Sequence, residues 1–113
     1  MQDIIKRLKQ FNTEREWDQF HTPENIAKSI AIEAGELLEC FQWNNNFNID
    51  KVKDELADIL LYASIMAYKL DLDITQIMDD KITRNEERYS VSNAKGNSKK
   101  YTEFKNENNT EDI

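Results

Sequence analysis

Only two glycines and one proline punctuate 113 residues. A chain with so few breaks must run in long elements joined by few turns. Leu, Ile, Ala, Glu and Lys are plentiful, which favours helix over strand. Apolar residues recur at helical spacing, and no stretch alternates in the manner of a half-buried strand. Ile4, Ile5, Leu8 and Phe11 mark a first helix over 2–16. Thr22-Pro23 reads as an N-cap followed by proline in the first turn, opening a second helix from about 23 to 43. Its apolar positions are Ile26, Ile30, Ala34, Leu37, Leu38 and Phe41. Asn44-Asn45-Asn46 breaks the pattern. A third helix starts near Asn48 or Asp50 and continues to Leu70 with the stripe Val52, Leu56, Ile59, Leu60, Ala63, Met66 and Ala67. Asp73, with Gln76 three positions on, resembles a capping box for a fourth helix reaching about Tyr89. After Ser90 the periodicity is lost. The expected architecture is all-α: four helices, a domain over 1–104 and a polar, disordered tail over 105–113.

A body this small buries a modest share of its surface, so its core is expected to be completed by oligomerisation. The formal charge of −7 argues against binding nucleic acid, which requires a basic face. It does not exclude a small phosphorylated ligand, because a metal ion or a local basic cluster reverses the field. One cysteine, Cys40, cannot close an internal disulfide, and it falls among the apolar residues of the second helix. No signal peptide opens the sequence and no apolar run would span a bilayer, so a cytoplasmic protein with no membrane partner is expected.

The chemistry lies in four carboxylates. Glu33 and Glu36 interrupt the apolar second helix at i, i+3, and Glu55 and Asp58 repeat that spacing on the third. Residues three apart share a helix face. The connection is short, so the two helices should pack antiparallel and bring four acids to one place. Such acids repel unless they share protons, pair with Lys or Arg, or bind a hard cation. Spacing alone leaves all three open, and acidic pairs of this kind are common on solvated helices.

REWDQFHTPENIAKSIAIEAGELLECFQW followed by DELADILLY resembles the MazG-like nucleotide pyrophosphohydrolases, all-α enzymes, and is most similar to their dCTP pyrophosphatase type. The likeness extends over about residues 5–101 and rests on W-x-x-F-H-x-P-x-N, E-x-G-E-L, F-Q-W and E-L-x-D in combination. It implies a four-helix MazG-like bundle, a homodimer or homotetramer, and cleavage of nucleoside triphosphates between the α and β phosphates. It implies Mg²⁺, with Mn²⁺ as a substitute, held by Glu33, Glu36, Glu55 and Asp58, with Glu33 or Glu36 as the base. Many members carry a further Glu where this chain has Ile32, a departure shared with the dCTP type.

The same resemblance places Trp17, His21, Trp43 and Tyr62 in a nucleoside pocket, where stacking a base on an aromatic face is worth about 1–3 kcal/mol. Without it, the tryptophans read equally as core or interface pieces, and His21 as a local hydrogen-bonding residue beside a helix cap. Lys81, Asn85, Arg88 and Tyr89 match a K-x-x-x-N-x-x-[KR]-Y segment implied to meet the phosphates and sugar, with Ser90 in place of the usual proline. Lys and Arg at a helix C-terminus also complement its dipole with no ligand present. Lys95-Gly96 and Lys100-Tyr101 echo the family's tail. Two functions follow: an Mg²⁺-dependent pyrophosphohydrolase acting on dCTP or a modified pyrimidine dNTP in nucleotide-pool cleansing, with a dUTP-preferring relative as its variant, or a non-catalytic nucleotide-binding or oligomerisation module. The intact set of four acids favours the enzyme.

Overall fold

A computed structural model of the chain describes residues 1–43, 46–89 and Val91. Its elements are α1 (Gln2–Glu14), a 3₁₀ turn (Asp18–Phe20), α2 (Pro23–Glu39), α3 (Ile49–Lys69) and α4 (Ile74–Arg88). No strand occurs among the described residues, and the all-α expectation holds. No helix among them is long and apolar enough to cross a membrane. The expected tail, together with Lys95, Gly96, Lys100 and Tyr101, lies outside the described residues.

The caps explain the boundaries. Thr22 sits in extended conformation and its side chain accepts from Asn25 N–H at 3.2 Å, with Pro23 in the first turn. Asn48 opens α3 by accepting from the amides of Asp50 and Lys51. The second helix stops at Glu39 rather than continuing to 43. Beyond it the amides of Cys40, Phe41 and Gln42 turn to carbonyls three residues back, at 3.0–3.2 Å, so the last turn tightens and the α pattern ends.

Two helix ends use left-handed residues that are not glycine. Asp71 follows α3 at φ 57°; its amide bonds to Tyr68 O, and that of Leu72 reaches Ala67 O at 2.8 Å. Glu16 repeats the arrangement after α1 at φ 55°, with its amide to Thr13 O and that of Trp17 to Asn12 O. Both are Schellman motifs, which glycine usually terminates because a Cβ is strained there. Replacing Asp71 by glycine should therefore raise the unfolding free energy by about 1 kcal/mol, read from the urea midpoint at unchanged slope.

Met1–Ile74, carrying α1 to α3, forms one compact unit, and α4 belongs to a second. In the first, Leu8 of α1, Ile26 of α2 and Ile65 of α3 meet, with Ile30, Tyr62, Met66 and Tyr68 packed around them. That core is thin. Ile32, Leu38, Leu56 and Leu60 remain exposed on α2 and α3. In the second unit, α4 leaves Ile77, Met78 and Ile82 exposed, with its own polar side ordered by Gln76 Nε2 donating to Asp80 at 2.9 Å.

Candidate metal centre

Ile26, Ile30, Glu33 and Leu37 of α2, with its cap residue Cys40, are all shielded from full exposure. Their steps of four and three define one seam of a helix packed lengthwise on a neighbour. On α3 the matching seam runs through Val52, Glu55, Ile59, Tyr62 and Met66. Ile26 packs near Ile65, and Glu33 lies beside Glu55 and Asp58, so the pairing order reverses and the helices are antiparallel. Glu33 and Glu55 thus occupy seam positions where the repeat calls for apolar side chains.

One carboxylate oxygen each from Glu33, Glu55 and Asp58 lies within 4.8 Å of the other two. All three residues are half-buried. One oxygen of Glu33 and one of Glu55 are shut off from solvent with no hydrogen-bond partner. Ionised carboxylates bring no donor, so these two can bond each other only when one holds a proton. The neighbouring Glu55 carboxyl, to which a protonated Glu33 would donate, acts with desolvation and the charges of Glu36 and Asp58 to push Glu33 up to about 7. At Glu55 the neighbouring Glu33 carboxyl acts downward, but desolvation together with Glu36 and Asp58 outweighs it, and its carboxyl is raised as well. Glu36 is exposed and stands outside the close trio, although it acts on both.

The donor set suits a divalent cation. Three hard oxygens converge, two of them unsatisfied, with no thiol or imidazole in the group. Without a cation, a proton on one of the two glutamates would relieve their repulsion. Glu33 binds a proton in the folded chain up to about pH 7, against 4.5 for an ordinary glutamate. Between those values the folded state carries more protons than the unfolded, so stability falls as pH rises through that window. We expect the melting temperature of metal-free protein to decline from pH 4.5 to 7, and millimolar Mg²⁺ or the Glu33→Gln substitution to flatten the decline.

Beside the trio opens a cleft of about 790 Å³. Glu36 and Glu55 form its border with the acids, and Gln42, Trp43, Asn48 and Lys51 are among the residues lining the rest. Trp43 is 82% exposed there. The other residues named from sequence fall as follows. Trp17 is half-exposed and meets Phe11 edge to face at 5.5 Å. His21 ends the 3₁₀ turn, its Nδ1 buried and without a hydrogen-bond partner. Tyr62 packs on the core. Lys81, Asn85 and Arg88 follow i, i+4, i+7 on α4, and Tyr89 bonds through its amide to Asn85 O at 2.8 Å. Sequence reasoning missed Lys51 and the polar lining residues Gln42, Asn46 and Asn48. The signal was there in the polar turn between two apolar helices, but it marked a break without indicating a cleft.

The MazG-like family pattern matches residues 28–104. Mouse (Mus musculus) dCTP pyrophosphatase 1 is 32% identical over 114 residues, covering 92% of this chain and 67% of its own. The Homo sapiens protein of the same name is also 32% identical, with the same coverage. The crystal structure of a pyrophosphatase from Archaeoglobus fulgidus superposes with a TM-score of 0.74 at 31% identity, over 80% of this chain and 92% of that one. This chain belongs to the MazG-like family. By class it is a nucleoside triphosphate pyrophosphohydrolase.

Proposed function

We propose that the protein cleaves dCTP, or a modified pyrimidine deoxynucleoside triphosphate, to the monophosphate and pyrophosphate in an Mg²⁺-dependent reaction that cleanses the nucleotide pool. The observation that carries this reading is the pair of solvent-shielded, unpartnered oxygens of Glu33 and Glu55 in the helix seam. Burying acids there is costly unless a cation meets them. Glu33, Glu55 and Asp58 would hold the Mg²⁺. Bound there, the ion supplies neutralisation of triphosphate charge and a more acidic water.

The residues of the chain supply the rest. Glu36, exposed at the cleft and outside the trio, takes the proton from the water that attacks the α phosphorus. Trp43 offers its face to the base, and Gln42, Asn46 and Asn48 bring donors and acceptors to the same cleft. Tyr62 lies one turn of α3 beyond Asp58, whereas Trp17 and His21 belong to the turn held at the Lys69 end of α3, away from the Asn48 end where Trp43 stands, so in this reading they serve the nucleoside pocket of a neighbouring copy of the chain. Lys81, Asn85, Arg88 and Tyr89 are the residues of the α4 segment that the family resemblance assigns to the phosphates and sugar. The exposed Ile32, Leu38, Leu56 and Leu60 fit a homodimer or homotetramer in the cytoplasm, with the partner covering those side chains.

The test is product analysis across common and modified dNTPs, with and without Mg²⁺. Monophosphate and pyrophosphate in equal amounts, dCTP or a modified pyrimidine leading, and only with the metal, is the expected result. A folded protein that leaves every dNTP intact would return the chain to a binding module.

A further inference from the structure

We propose that Asn12 is a positioning residue, which sets nucleotide affinity by tying the turn that carries Trp17 to the end of α3. The inference rests on the reading of Trp17 as part of the nucleoside pocket. Asn12 is only 2% exposed, one of the most buried side chains of the described structure. It is polar in a core whose other helix contacts are Leu8, Ile26 and Ile65. Its side-chain nitrogen donates to the Tyr68 hydroxyl at 2.8 Å, a bond 56 residues apart in sequence. Its backbone carbonyl receives the amide of Trp17 at 3.0 Å. One residue thus joins α3 to the first residue of the turn beyond Glu16.

The surroundings confirm a fixed piece of structure. Lys69 Nζ donates to Asp18 O at 3.2 Å, one residue along α3 from Tyr68. Thr13 Oγ1 donates to the Asp18 carboxylate at 3.2 Å. Phe11 packs edge to face on Trp17, and the Arg15 guanidinium lies 3.8 Å above the Phe11 ring. The turn then leads through Phe20, whose carbonyl accepts from Asn25 Nδ2, to His21 and the start of α2. A buried polar pair stabilises no better than an apolar pair of the same shape, but it is directional. What it adds here is one register of the α1 end against α3, and with it one place for the Trp17 ring.

Three variants separate that role from simple stability: Asn12→Ala, Tyr68→Phe, and Asn12→Leu with Tyr68→Phe together. The double variant replaces both partners by apolar groups and should melt near the wild type. In a Trp43→Phe background Trp17 is the sole tryptophan, so its emission reports its surroundings without any turnover. All three variants should shift that emission to the red and increase acrylamide quenching. With Trp43 restored, KM for the preferred dNTP should rise roughly five- to tenfold while kcat stays within about twofold. Emission unchanged in the double variant overturns the proposal. So does a shifted emission with unchanged KM while the wild type turns over. If the wild type cleaves no dNTP, the pyrophosphohydrolase reading falls, and the emission still decides whether Asn12 places Trp17.

Discussion

Replacing Glu55 by glutamine should lower metal-dependent pyrophosphate release by roughly 10³-fold, the scale seen when a group that stabilises developing charge is removed. The amide keeps the shape of the side chain and half of its acceptor capacity but loses the charge a cation needs. It also gains a donor, and the shielded oxygen of Glu33 gains a partner it now lacks. The same variant should therefore be more stable than the wild type in metal-free buffer above pH 7, where Glu33 and Glu55 repel. Activity and stability moving in opposite directions is the mark of a site that sacrifices packing for chemistry. Calorimetry beside a pyrophosphate assay reads both. An active Glu55→Gln variant, or one merely destabilised, would contradict the assignment.

Ile26→Ala should cost about 2–5 kcal/mol, the range for truncating a fully buried aliphatic side chain. Ile26 is 1% exposed and stands where α1, α2 and α3 meet. So few buried apolar side chains share this core that a cavity at its centre has little neighbouring packing to absorb it. Ile26 also lies seven residues before Glu33, on the same seam of α2. The contact that stabilises the helix pair is thus also what aligns its acids. Denaturant unfolding should show the loss, and Mg²⁺ with nucleotide should recover part of it by binding only the folded state.

The helices were legible because nothing in the sequence competes with them. Scarce glycine and proline, the Thr22-Pro23 cap and the apolar stripes lead directly to α2, and Asn48 locates the start of α3. The acidic pairs were legible as pairs. Their inequality was not, because i, i+3 spacing does not say which member faces a partner helix. Only the packing of α2 on α3 puts Glu33 and Glu55 in the seam and leaves Glu36 at the cleft. The two Schellman ends escaped notice since Glu16 and Asp71 stand where glycine would signal them. Asn12 escaped because its partner is Tyr68, far along the chain, and a polar residue in an amphipathic helix reads as solvated. Non-local pairing of this kind leaves no periodic trace.

We propose that the seam acids form a metal centre for attack at the α phosphorus. The most direct test is dCTP hydrolysis in ¹⁸O-labelled water by the wild type and Glu55→Gln, with and without Mg²⁺. The expected result is dCMP and pyrophosphate from the wild type only with the metal, the label on dCMP, and next to nothing from the variant. Label in pyrophosphate, or equal turnover by the variant, would contradict it.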